Sequence, residues 1–241
     1  MNAYHKQIEK ELDKWYAKVI TPPKPLKKKT TDLQLKARKL IPGKVQDSIT
    51  AIVRTLIKAV MHGSGYAPKT SEYLGLSLAE SDYLILRSFQ NYKKVAVSGG
   101  VLTGAGGFIT GLADLPTLVG VKINFLFKCA TLYGFDVNDQ NERLFILYIF
   151  QLAFSNHEHR LHCFNKLVEW GDEIDESEKI DWETFQLEYR DYLDIAKLLQ
   201  LIPIIGAPAG AIANNSLMET LCENAMNVYR MRILGKKFPD F

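Results

Sequence analysis

Cysteine is scarce in this chain. Cys129, Cys163 and Cys222 are three in 241 residues, odd in number and far apart. That spacing excludes a disulfide framework and the paired-cysteine pattern of a structural zinc site; it predicts reduced thiols in a helical core of a cytoplasmic protein. An apolar leader is also missing: MNAYHKQIEKELDKW has no h-region, so no secretory signal is expected. No stretch alternates apolar and polar residues over a useful length, and no Asn-Gly or Asp-Gly pair separates two such stretches, so strands and hairpins are not expected. The mean hydropathy of -0.08 is too low for a polytopic membrane protein. No catalytic constellation is found. Around Ser64 the nucleophile-elbow pattern fails, because His62 stands where its first glycine belongs.

What is present first is a division of charge. Residues 1–94 carry 18 Lys/Arg against 8 Asp/Glu, and residues 95–218 carry 8 against 16. The basic excess is sharpest in residues 22–44, where eight positive groups face Asp32 alone. The acidic excess sits in residues 169–191, which lack the ligand spacing of a calcium loop and read as a solvated loop and helix start. Lys27, Lys28, Lys29, Lys36, Arg38 and Lys39, next to an amphipathic helix carrying Trp15, suit an anionic membrane surface; the plainer alternative is a solvated linker. Nucleic acid is not expected, since the arm has no interleaved aromatics.

The apolar spacing is helical nearly throughout. Tyr4, Ile8, Leu12, Trp15, Tyr16 and Val19 mark a first helix that stops before Pro22 and Pro23. Val45 to Val60 marks a second, and Ser77 with Glu80 forms a capping box opening another. Helices are further predicted from Pro116 to a cap at Gly134, across residues 138–154, on to about Gly171, from about Asp181 to Gln200, and finally to about Leu234. The predicted fold is all-α: residues 1–44 form an amphipathic helix and basic arm, and residues 45–241 a compact helical domain.

Residues 98–116, SGGVLTGAGGFITGLADLP, hold six glycines within residues 99–111 and no charge before Asp114. A phosphate loop is excluded: Gly99 and Gly104 are followed by Ala105, and Gly106 and Gly111 by Leu112, where lysine is required. The dinucleotide fingerprint fails at Ile109. Read as a helix, Gly100, Gly104, Gly107 and Gly111 fall in one narrow stripe, continued by Asp114. Such a stripe costs an isolated helix roughly 1 kcal/mol per glycine relative to alanine, so close approach of another backbone must offset it. Gly206, Gly210 and Ala213, with Asn214 at the edge, form a second stripe, and the two helices are expected to cross at the centre of the molecule. Residues 95–113 and 198–218 are both uncharged, long enough to cross a bilayer by length alone, but rich in Gly, Pro and Asn. A tight core crossing and bilayer contact both remain open.

These motifs carry a resemblance. Glu11 and Trp15, IPGKV at residues 41–45, TGAGGFITGLADLP with a helix ending LYGFD, and IPIIGAPAGAIANNSL followed by Ala225, Tyr229 and Arg230 are together similar to the EcsC family over nearly the whole chain. The family's founding member is encoded beside two subunits of an ABC transporter linked to exoprotein secretion. The resemblance therefore implies a bacterial, cytoplasm-facing accessory protein whose partners are membrane lipid or transporter subunits. It brings no catalytic residues and no cofactor.

Two minor sites complete the reading. His159, His162 and Cys163 share a helix face, but a closed zinc site needs a further ligand pair, and a helix-start histidine cluster is the expectation. Asp114, ahead of Pro116, reads as an N-cap that could also reach Asn214 or Asn215 across the crossing. No metal is expected. An enzyme would require a buried polar cluster, and Asp114, Asn214 and the His157–His162 face are the places to look for one.

Overall fold

The computed structural model describes residues 3–22, 73–103, 107–170 and 207–239, together with Ala51, Ile57, Lys58 and Val60; for residues 96–103, 107–118 and 207–214 the backbone alone is described. Among these residues there are six extended α-helices and no strand, as the periodicity predicts. They are α1 (Ala3–Ile20), α2 (Leu78–Thr103), α3 (Gly107–Leu132), α4 (Gln140–Phe154), α5 (His157–Val168) and α6 (Ala207–Leu234). The basic arm with its six named cations, Gly104, Gly206, the predicted helix over 181–200 and most of the acidic segment lie outside the described residues.

Local signals in the sequence place several helix ends. Ser77 accepts from the Glu80 backbone at 3.3 Å, while the Glu80 carboxylate takes the Ser77 N–H at 2.8 Å, closing the capping box of α2. At the end of α3, Gly134 has φ +86°; its N–H reaches the Thr131 carbonyl and that of Phe135 the Ala130 carbonyl, both at 3.0 Å. That pair of bonds is a Schellman cap, and it needs the left-handed backbone that glycine adopts without strain. Gly235 ends α6 in the same way, with φ +61°. Asp139 and Asn156 cap α4 and α5 through the backbone N–H groups of Asn141 and His159.

The start of α3 differs from expectation. The helix runs unbroken through Asp114 and Pro116, so Asp114 is an interior residue and not an N-cap. Proline removes one N–H whose partner would be the carbonyl of Leu112, an interior cost of roughly 3 kcal/mol. Apolar, helix-compatible residues stand on both sides. Burial of Val119, Ile123, Phe125 and Leu126 further along the same helix outweighs the lost bond.

α6 is the axis of the molecule. It packs against all five other helices, most extensively along α2, and every residue from 224 to 231 is buried. A helix buried all round must satisfy its polar residues internally, and Asn224, Asn227 and Arg230 lie in that stretch. α1 buries one face instead, through Ile8, Leu12, Trp15 and Val19. Each such side chain contributes roughly 1.5–3 kcal/mol when removed from water. The three cysteines are buried and free, as their scarcity predicts.

Candidate functional site

The largest concentration of buried polar groups lies where α1, the start of α2, the end of α3 and the second half of α6 meet. Asp82 is 2% exposed. Its carboxylate accepts from Tyr4 Oη and Tyr133 Oη, each at 2.5 Å, and from Arg230 Nε at 3.0 and 3.2 Å and Nη2 at 2.9 Å. Arg230 then reaches out to Glu11 at 3.1 Å and to Asn227 at 3.3 Å. Burial draws the Arg230 guanidinium down, but its bonds to Asp82 more than offset that and its pKa is raised. Burial, and then the bond to Asp82, pushes Tyr4 up to about 12. Burial is also the main reason that Tyr133 stays protonated far above its ordinary range.

A second cluster adjoins the first. Glu142, 3% exposed, accepts from Tyr229 at 2.5 Å and from Arg232 at 2.6 Å. The Arg232 guanidinium lies over the rings of Phe135 and Phe145, 4.1 and 4.5 Å from their centroids. Burial raises the Glu142 pKa against the opposing pull of Arg232. Tyr133 and Tyr229, with centroids 5.4 Å apart, join the two clusters. Each buried carboxylate is thus held by an arginine and at least one tyrosine hydroxyl. That arrangement pins helices together.

Trp15 is part of this packing and not of a membrane-facing surface, which corrects the sequence reading. It is 3% exposed, donates from Nε1 to Asn224 Oδ1 at 2.9 Å, and meets Phe164 edge-on at 5.6 Å. The physical reason is its register: it shares the apolar face of Ile8, Leu12 and Val19, and its polar tip finds an amide on α6. Beside it a cleft of about 210 Å³ opens between α1, α4, α5 and α6, with Lys18, Arg160, Thr220 and Glu223 among its walls.

The histidine cluster lies at a helix start, as expected, and His162 is exposed, but its middle member is turned inward. His159 is buried, and its Nε2 lies 2.9 Å from Gln151 Oε1, which also takes the Cys163 thiol at 3.1 Å. Gln151 on α4 thus stands where a metal reading would want its ion. Burial, with a smaller effect of His162, lowers His159 to about 4, and burial raises the Cys163 thiol well above its ordinary range. Among the described residues no group of three His, Cys, Asp or Glu side chains is placed to hold a metal.

Of the residues singled out for a helix crossing, Gly100 lies in α2, Gly107, Gly111, Asp114 and Pro116 in α3, and Gly210, Ala213 and Asn214 in α6. α6 contacts both α2 and α3. The residues that sequence reasoning missed are Asp82, Glu142, Arg232 and Asn224. One signal was available for the two acids: each sits near the start of a helix just ahead of an apolar run, residues 83–86 and 144–150.

The sequence profile of the EcsC protein family matches residues 6–234. Protein EcsC of Bacillus subtilis (strain 168) is 42% identical over 202 residues, 84% of this chain and 84% of its own. The uncharacterized protein YdbA of the same organism is 28% identical over 155 residues, 63% of this chain and 57% of its own. No solved structure matches the chain. The polar network contains several residues that carry the sequence resemblance: Glu11 and Trp15 from α1, Tyr229 and Arg230 from α6.

Proposed function

The chain belongs to the EcsC protein family, and on that premise we propose that it is a non-enzymatic accessory protein of an ABC transporter, attached peripherally to the cytoplasmic face of the cell membrane. The observation that carries this reading is the charge division, with eight positive groups against Asp32 in residues 22–44 and an acidic middle that an anionic surface would repel. Among the described residues no helix is long and apolar enough to cross a membrane, and the proposal accordingly rests on surface attachment. Trp15, being buried, has no part in it. The non-enzymatic half is supported by the engagement of Asp82 and Glu142, and by the buried, inert thiols.

Vesicle flotation tests the attachment. Lys27, Lys28, Lys29, Lys36, Arg38 and Lys39 each contribute up to roughly 1 kcal/mol near an anionic surface. The protein should float with anionic vesicles at low salt and be released at high salt, and replacing the six by glutamine should abolish flotation while leaving helical circular dichroism unchanged. Equal behaviour with neutral and anionic vesicles, or none with either, rejects the reading in favour of a soluble interaction domain.

A further inference from the structure

The cleft beside Trp15 contains an arginine that meets no carboxylate among the described residues. Arg160 rises from the first turn of α5 and lines the cleft together with Lys18, Thr220, Glu223 and Asn224. Arginine stays protonated in proteins, so the cleft holds a permanent cation. Every other buried or half-buried arginine of the clusters above meets a carboxylate: Arg230 has Asp82 and Glu11, and Arg232 has Glu142. Arg160 has none. Its bonds are to the Thr21 carbonyl at 3.5 Å and to His157 Nδ1 at 2.7 Å, both made by the same terminal nitrogen, and its buried Nε has no partner. That Nε is sealed from solvent; the terminal nitrogen Nη1 is not, and it makes no bond among the described residues, so it is the atom left for a ligand.

A second donor faces the same space. The indole N–H of Trp15 can only donate, so it fixes the Asn224 side chain with its oxygen toward Trp15. That leaves the Asn224 amide nitrogen, which meets no acceptor among the described residues, on a side chain that lines the cleft. Lys18 and Glu223 neutralise each other at the rim through a 2.5 Å ion pair, so the net charge of the cleft is that of Arg160. The cleft volume is many times the roughly 10–15 Å³ that a single water requires. A planar guanidinium and an amide lining one positive cleft suit a tetrahedral oxyanion.

We infer that this cleft binds a phosphate group, with Arg160 and Asn224 as its donors. The group is either free phosphate or the headgroup of an anionic phospholipid. The inference goes beyond membrane docking by the basic arm and stands without it, because the two involve different residues.

Calorimetric titration of the full chain distinguishes the sources, using inorganic phosphate in one arm and dihexanoyl phosphatidate, dissolved below its micelle concentration, in the other. Saturable binding in either arm is expected, and the arm that responds names the source. Arg160→Gln should weaken it at least tenfold. Asn224→Asp keeps an acceptor for Trp15, so the fold is retained while a negative charge replaces the donor; it should abolish binding and decides the matter if Arg160→Gln melts early. No saturable heat in either arm, or unchanged affinity in these variants, overturns the assignment.

Discussion

α2 and α6 run antiparallel along each other, and their two halves are built differently. In one half, charges set the register: Asp82 meets Arg230, and Lys93 meets Glu219. Asp82 and Lys93 are 11 positions apart, as are Glu219 and Arg230, so the helices stay in step. In the other half, residues 95–103 and 207–218 carry no charge at all, and glycine and alanine recur. Hydrogen-bonded ion pairs are directional and fix one alignment; small residues fix nothing but let backbones approach. Continued at the same rise, the register of the charged half puts residues 98–103 beside residues 209–214, which is where both glycine-bearing ends lie. The ion pairs specify the pairing in the charged half.

The sharpest way to break that pairing is at Asp82. Asp82→Ala would leave Arg230 buried with a half-exposed partner in Glu11, and Tyr4 and Tyr133 without their acceptor. Removing one member of a buried pair commonly costs about 3–5 kcal/mol. For a chain of this size that is a fall in Tm of roughly 6–20 °C. Lys93→Ala removes a pair on the exposed rim of the same interface and should cost about 1 kcal/mol or less. Urea melts of the two variants that agree within error would show that the network does not set the register.

How much of this was legible follows the range of each interaction. The capping box at Ser77, the cap at Gly134 and the buried face of α1 were readable because three or four residues decide them. Asp82 and Arg230 are 148 residues apart, and nothing near either names the other. Trp15 was read as a surface anchor because an aromatic on an amphipathic helix suits both roles; the amide of Asn224, 209 residues away, decides for the core. Asp114 misled for a different reason. Asp-Leu-Pro is a good helix start locally, but the burial that carries α3 through it lies in the turns that follow.

Substitutions in the glycine half sharpen the comparison from the other side. If residues 98–103 lie against residues 209–214, a branched side chain at Gly100 must push two backbones apart, and overpacking of that kind costs about 1–3 kcal/mol. Gly100→Val should lower thermal stability by that amount, and Gly100→Ala should fail to raise it. Gly210 stands nine residues from Glu219, about half a turn round α6 from the face that meets α2, so the losses of Gly100→Val and Gly210→Val should add. A double variant that loses less than the sum would mean that the two glycines share a neighbour.

The smallest effect is the control for that argument. Gly120 sits inside α3, and a Cβ built on it meets no atom within 4 Å. Its φ is not positive, so alanine adopts the backbone without strain. Alanine there restricts the unfolded chain and improves helix propensity, with nothing to push aside. Gly120→Ala should therefore gain up to about 1 kcal/mol, raising Tm by roughly 2–4 °C. The sign of the contrast carries the weight: glycine in open space should improve on substitution, and glycine between helices should not. Thermal melts in which Gly100→Ala gains as much as Gly120→Ala would place Gly100 in open space too, and the glycines of α2 would then need a reason other than close approach.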